Sequence, residues 1–249
     1  MKRNLEIKFI QKKPFCIFEI ENFLSDNEYN ILKNFPNFKK NELISTDKNK
    51  FELASNSDEY KSIKDTDCVN LLENIFDDKF FLSVTKKLKY QLLSSRSFNK
   101  LQLIKLLRLS KFGKNKNKKT IIERLFYNYF QYSYKFSYMF NDGYILPHTD
   151  GLSKLISLML YFPTQNQENK SIGTTFYETK YKSAETIRVD MYEEDNIFFK
   201  NNFKESITLP FKKKSLYGFL KSDNSWHSVK KLYLESDEIR KSININVHI

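Results

Sequence analysis

The stretch Phe130-Gln131-Tyr132-Ser133-Tyr134-Lys135-Phe136-Ser137-Tyr138-Met139-Phe140 sets an aromatic ring at every second position. Successive side chains of a strand point to opposite faces, so this period of two predicts a strand with one buried aromatic face. Short runs of β character follow it at 155–162, 174–178, 185–191, 206–209, 215–220, 226–229 and 241–248, with loops and no long helical pattern between them. About eight short strands in about 120 residues predict a closed sandwich or jelly roll. No internal repeat is visible.

Upstream the period changes. Residues 14–24 read as a strand running into a helix, where Ser25 is an N-cap and Glu28 completes a capping box. That helix should end near Asn34, before Pro36. Residues 37–70 are polar and weakly periodic, and predict loops with short helices. Residues 71–109 are mostly helical in pattern: Phe98, Leu101, Ile104 and Leu107 recur at three-residue steps with Lys100, Lys105 and Arg108 between them. Gly113 is expected to close that helix and 114–119 to form a solvated loop. The expected fold is mainly β with helical support (α+β). A helix-rich supporting region at 1–125 precedes a β domain at 126–249.

The chain has 249 residues, 42 basic and 30 acidic, for a formal charge of +12. Twelve of the basic residues fall between Lys86 and Lys119, a span without Asp or Glu, and the rest of the chain is balanced. The basicity is therefore local. An amphipathic helix there can pack its apolar face, lie on anionic lipid, or meet an anionic substrate. It offers no stacking platform for single strands, which counts against nucleic acid as a partner. A mean hydropathy of -0.58 and the lack of a long uncharged apolar run exclude a membrane-spanning helix. Cys16 and Cys68 have no metal-type spacing, and the basic tip Met1-Lys2-Arg3 has no apolar stretch behind it. A reducing compartment, the cytoplasm, is expected.

The chain has three histidines, His148, His227 and His248. His148-Thr149-Asp150 follows the apolar run 143–147, and residues i and i+2 of a strand share a side. An imidazole and a carboxylate can therefore face one point. A 2-His-1-carboxylate site needs such a pair, plus a third ligand from elsewhere that leaves the opposite face open. Taken alone, His-x-Asp also fits a solvated surface turn. His227, in the short apolar run Trp226-His227-Ser228-Val229, offers a second imidazole. Arg240 and Ser242 share a strand face and can grip a carboxylate together. An arginine facing into a barrel would be costly without an anion, so an acidic partner is implied. His248 has no partner motif.

Five elements in order, Gly143…Pro147-His148-Thr149-Asp150, Leu158–Phe162, Gly173–Tyr177, Trp226–Val229 and Arg240-x-Ser242, resemble the iron(II)/2-oxoglutarate-dependent dioxygenases, above all their prolyl 4-hydroxylase-like branch. The resemblance spans roughly 137–249, and Pro14-Phe15 with Asn22-Phe23-Leu24-Ser25 resembles the start of such enzymes. It implies a double-stranded β-helix, with Fe(II) held by His148, Asp150 and His227. It also implies 2-oxoglutarate on that metal with its far carboxylate on Arg240 and Ser242, and O2 as the second co-substrate. The implied reaction releases succinate and CO2 and hydroxylates an organic substrate, whether a protein side chain, a sugar or glycan, or a small metabolite. A tyrosine that the family often places beside the co-substrate has Tyr138 as its nearest match, although Tyr138 also belongs to the aromatic stripe. Only Gly173 remains of a common glycine pair. The presence of Asp150 disfavours the halogenating variant, and Asn246 stands where the nucleic-acid-demethylating branch carries a second arginine. Two other roles stay open: a jelly-roll binding protein without turnover, and a basic adaptor acting at a membrane or on nucleic acid through 86–119.

Overall fold

A computed structural model describes residues 5–34, 49–55, 57–61, 63, 66–95, 110–113, 128–151, 153–182, 187–192 and 196–248. In chain order the elements are β1 (Lys8–Gln11), β2 (Ile17–Ile20), α1 (Asp26–Lys33), β3 (Lys50–Ala54), α2 (Asp58–Lys61), α3 (Asp67–Ile75), α4 (Asp78–Lys87) and α5 (Lys89–Ser95). They continue with β4 (Ser110–Gly113), β5 (Asn128–Met139), β6 (Ile145–His148), β7 (Lys154–Phe162), β8 (Thr175–Thr179), α6 (Asn196–Asn202), β9 (Phe203–Thr208), β10 (Leu216–Leu220), β11 (His227–Val229) and β12 (Arg240–His248). Among the described residues, no helix is long and apolar enough to cross a membrane.

The strands form two sheets. The larger has the order β1-β2-β10-β7-β12-β5-β3, antiparallel throughout, with β4 added parallel to β5. The smaller is antiparallel with the order β6-β11-β8-β9. Strand β5 is the aromatic stripe, and its two faces have different neighbours. Phe130, Tyr134, Phe136 and Tyr138 are buried toward the helices. There Tyr134 donates to the Phe76 carbonyl at 3.1 Å, and Tyr60 packs on Phe136. Lys135 and Ser137, on the alternate face, line a cavity between the sheets. The second core lies in that same layer, where Ile17, Met159, Tyr161, Tyr217 and Phe219 of the large sheet meet Phe176, Leu209 and Phe211. Burial on both faces explains why β7 reads Leu-Ile-Ser-Leu-Met-Leu-Tyr-Phe rather than as a polar alternation.

The capping box before α1 forms as expected. Ser25 accepts from the Glu28 backbone, and the Glu28 carboxylate accepts from the Ser25 N–H at 2.9 Å. Other expectations change. Gly113 does not close a helix but ends β4, paired with Gln131 of β5. Residues 50–54, expected in loops and short helices, form β3 along β5, because pairing with the stripe satisfies a backbone whose own sequence is noncommittal. Among the described residues, the region before 126 is thus helical and also a contributor of four strands to the large sheet. Helix α6 occupies a stretch with no expected helix, held by Phe199 against Tyr177 and Phe203. Of the strand expected at 185–191, the described residues form one isolated bridge, Arg188 to His148. Most of the basic span 86–119, including the loop 114–119, lies outside the described residues.

Candidate active site

Strands β6 and β11 pair antiparallel with His148 directly opposite His227, and the ring centroids stand 4.3 Å apart. Asp150 follows two residues after His148, so its carboxylate turns to the same point. One ligand atom from each of His148, Asp150 and His227 lies within 4.8 Å of the other two.

Each histidine is oriented by its own backbone. His148 Nδ1 is 2.8 Å from the Leu146 carbonyl and His227 Nδ1 is 3.0 Å from the Ser225 carbonyl. A carbonyl only accepts, so both Nδ1 atoms carry the proton and both Nε2 lone pairs are left for the centre. Burial, with His227 next, pulls the His148 pKa down to about 3 against the pull of Asp150. Burial likewise lowers His227. Both rings are therefore neutral at physiological pH. Burial alone would raise the Asp150 pKa, but Lys154 and the two histidines outweigh it and hold the carboxyl below the ordinary range.

Asp150 divides its two oxygens. Oδ1 accepts from Lys154 Nζ at 2.7 Å. Oδ2 is buried without a hydrogen-bond partner and lies 3.8 Å from His227 Nε2. A lone pair and a carboxylate oxygen that face each other repel unless a cation lies between them. This donor set of two imidazoles and one carboxylate fits a divalent transition metal held on one face.

The triad opens on a cavity of about 260 Å³, also lined by Arg240, Ser242 and Lys154. Arg240 is 2% exposed. Its Nε donates to the Ile172 carbonyl at 2.7 Å, and its guanidinium packs near the rings of Tyr161 (5.4 Å) and Phe211 (4.9 Å). Among the described residues no carboxylate pairs with it. Burial lowers its pKa, yet a guanidinium stays charged in proteins. A buried cation with a donor fork turned to a cavity calls for an anion, as the sequence implied. Ser242 sits two residues along β12 on the same face and is also buried.

No family model matches the chain, and no curated protein matches its sequence. Solved structures do. HygX from Streptomyces hygroscopicus, crystallised with nickel, 2-oxoglutarate and hygromycin B, aligns at TM-score 0.49 and 7% identity over 93% of this chain and 82% of that one. A prolyl-4-hydroxylase from Pseudomonas putida aligns at TM-score 0.44 and 10% identity over 94% and 93%. A third structure, from Burkholderia pseudomallei, is described as an oxidoreductase of the 2OG-Fe(II) oxygenase family, with TM-score 0.28 and 10% identity over 59% and 56%. These structural neighbours are 2OG-Fe(II) oxygenases.

The structure brings five of the six candidate residues to one cavity. The sixth, Tyr138, is on the helix-side face of β5 in the aromatic core, its ring 5.7 Å from Phe51. Its neighbours Ser137 and Met139 face the other way. Ser137 lines the cavity, and Met139 Sδ accepts from Arg240 Nη1 at 3.7 Å. Strand alternation keeps Tyr138 out of the pocket.

Sequence reasoning missed Lys154 and another part of the cavity lining, where Lys50 and Lys135 each contact Glu52 at 2.9 Å. Burial acts to raise the Glu52 pKa, but the two lysines bring it down to about 2. A signal for Lys154 was present: it is the one charged residue of a mostly apolar strand, four positions beyond Asp150. No local signal marks Glu52, since β3 exists only through its pairing.

Proposed function

We propose that this protein is an iron(II)- and 2-oxoglutarate-dependent oxygenase with a jelly-roll (double-stranded β-helix) domain at 126–249 supported by 1–125. Its reaction is hydroxylation of an organic substrate, with release of succinate and CO2. The observation that carries this is the convergence of His148, Asp150 and His227 within 4.8 Å, with Asp150 Oδ2 buried and lacking a hydrogen-bond partner.

His148, Asp150 and His227 would hold Fe(II), and Arg240 with Ser242 the distal carboxylate of 2-oxoglutarate. When bound, the iron supplies O2 activation coupled to oxidative decarboxylation of the co-substrate. The chain's own residues set the conditions. The two Nδ1 hydrogen bonds fix ring orientation, so both Nε2 donors are in place before the metal arrives. Tyr161 and Phe211, packed on each other at 4.7 Å, present their rings side by side to the guanidinium of Arg240 and restrict its motion. The rings of Phe176 and Phe219 pack on His227 and keep water from that side. Cys16 and Cys68 are free and buried, and burial pushes both thiols up to about 12, so they stay protonated and take no part in the reaction; free thiols accord with a cytoplasmic location, which belongs to this proposal.

A binding protein without turnover gains nothing from an arginine buried across from a metal-type triad, which favours the enzyme. The test is succinate formation from 2-oxoglutarate under Fe(II) and O2 across a panel of protein, glycan and small-metabolite substrates. Succinate that depends on Fe(II) and on His148 supports the reading. A folded chain that neither binds Fe(II) anaerobically nor forms succinate with any panel member overturns it.

A further inference from the structure

We infer that Lys154 is a positioning residue that makes Asp150 a one-oxygen metal ligand and so keeps a coordination position open for the co-substrate. This rests on the metal-site assignment above and goes beyond it, because the three ligands alone do not determine how Asp150 binds.

A carboxylate can give a metal one oxygen or two. With two, Asp150 and the histidines would fill four positions of an octahedral ion, leaving too few for a chelating 2-oxo acid and O2 together. In this structure the choice is made by hydrogen bonding. Lys154 Nζ takes Oδ1 at 2.7 Å, and Oδ2 alone turns to the histidines. The pair is well shielded, with side chains 19% and 10% exposed, so the contact is weakly screened.

Metal affinity alone does not account for a lysine here. An ammonium beside a cation site repels the cation, and it withdraws charge from the carboxylate that binds it. A wall built only to hold iron would be better without it. The position is also held by the fold. Lys154 opens β7, and its backbone N–H donates to the Gly151 carbonyl at 3.1 Å, closing the turn that joins it to Asp150. Loop and strand thus place the ammonium and the carboxylate together before any metal binds.

The experiment compares the full-length parent with Lys154→Met and Lys154→Arg, in two anaerobic titrations. Fe(II) binding is read first, then 2-oxoglutarate binding to the Fe(II)-loaded protein through the visible charge-transfer absorption of the chelate. In Lys154→Met, Fe(II) affinity should stay within about threefold of the parent or tighten, while 2-oxoglutarate affinity falls at least about tenfold. Lys154→Arg, which keeps a charged donor, should recover most of that loss. Parent-like 2-oxoglutarate affinity in Lys154→Met overturns the inference. Loss of Fe(II) in Lys154→Met also overturns it, since Lys154 would then support the whole triad rather than the binding mode of Asp150. If Lys154→Met does not fold, Lys154→Ala takes its place in the same comparison. A parent chain that fails to bind Fe(II) refutes the metal-site assignment itself, and the two failures are therefore told apart.

Discussion

His148 and His227 stand directly opposite each other on β6 and β11, with ring centroids 4.3 Å apart and each Nδ1 tied to the carbonyl two residues before it. Neither ring needs to rotate for both Nε2 atoms to meet one ion. Their separation along the chain is closed by a single strand pairing, and Asp150 joins from the loop that leaves β6.

Each of His148→Ala, Asp150→Ala and His227→Ala should abolish tight Fe(II) binding, because two ligands on one face hold a divalent ion poorly. Anaerobic equilibrium dialysis with metal analysis measures this. Parent-like iron content in all three variants would refute the triad.

The stability of the metal-free protein should fall as the solution is acidified. The unfolded chain protonates His148 near the ordinary 6.5, whereas the folded protein does so only at about 3. Between those values the unfolded state binds more protons, so stability drops as pH falls through the window and levels off below it. Asp150 adds a loss below 3.8, its ordinary value, since its folded carboxyl is held lower still. Urea midpoints from pH 7.5 to 4 should decline in the parent and decline less in His148→Gln. Equal slopes would mean that the folded protein does not hold His148 neutral.

Arg240→Ala should weaken 2-oxoglutarate binding roughly 10- to 150-fold and spare Fe(II), since it removes a charge-assisted contact of about 1.5–3 kcal/mol. Arg240→Lys should fall between, because a point charge lacks the fork. Ser242→Ala should be milder. Titration of co-substrate against the Fe(II)-loaded protein reads all three, and unchanged affinity in Arg240→Ala would move the anchor elsewhere.

Tyr138→Phe should leave the 2-oxoglutarate requirement unchanged, because its ring lies in the helix-side core rather than the cavity. A rise of tenfold or more in the co-substrate concentration needed would show that Tyr138 reaches the site.

Gly173→Ala should destabilise the fold by about 1–3 kcal/mol in urea titrations. A Cβ there would strike the backbone carbonyl of Leu209, and the Gly173 N–H donates to that same oxygen at 3.2 Å, so neither partner can move aside. Parent-like stability would show that the two segments can separate.

What could be read from the residues alone was local in range. The period of two in 130–140 marks a strand because alternation is a property of one chain segment. The box of Ser25 and Glu28 needs only three residues of helix, and the i, i+2 spacings of His148 with Asp150 and of Arg240 with Ser242 need only an extended backbone. Other features depended on partners far away in sequence. Residues 50–54 become a strand, and Glu52 reaches the cavity, only because β5 lies alongside. Both Ser137 and Tyr138 fall on a strand packed on both sides. Which face meets the cavity and which meets Phe51 was decided by where the helices and the small sheet settled. The grip of Lys154 on one oxygen of Asp150 likewise needed the turn at Gly151 and the start of β7 together. Spacing can bring a carboxylate to a site, but the hydrogen bonds around it decide which oxygen it presents, and those come from the packed fold.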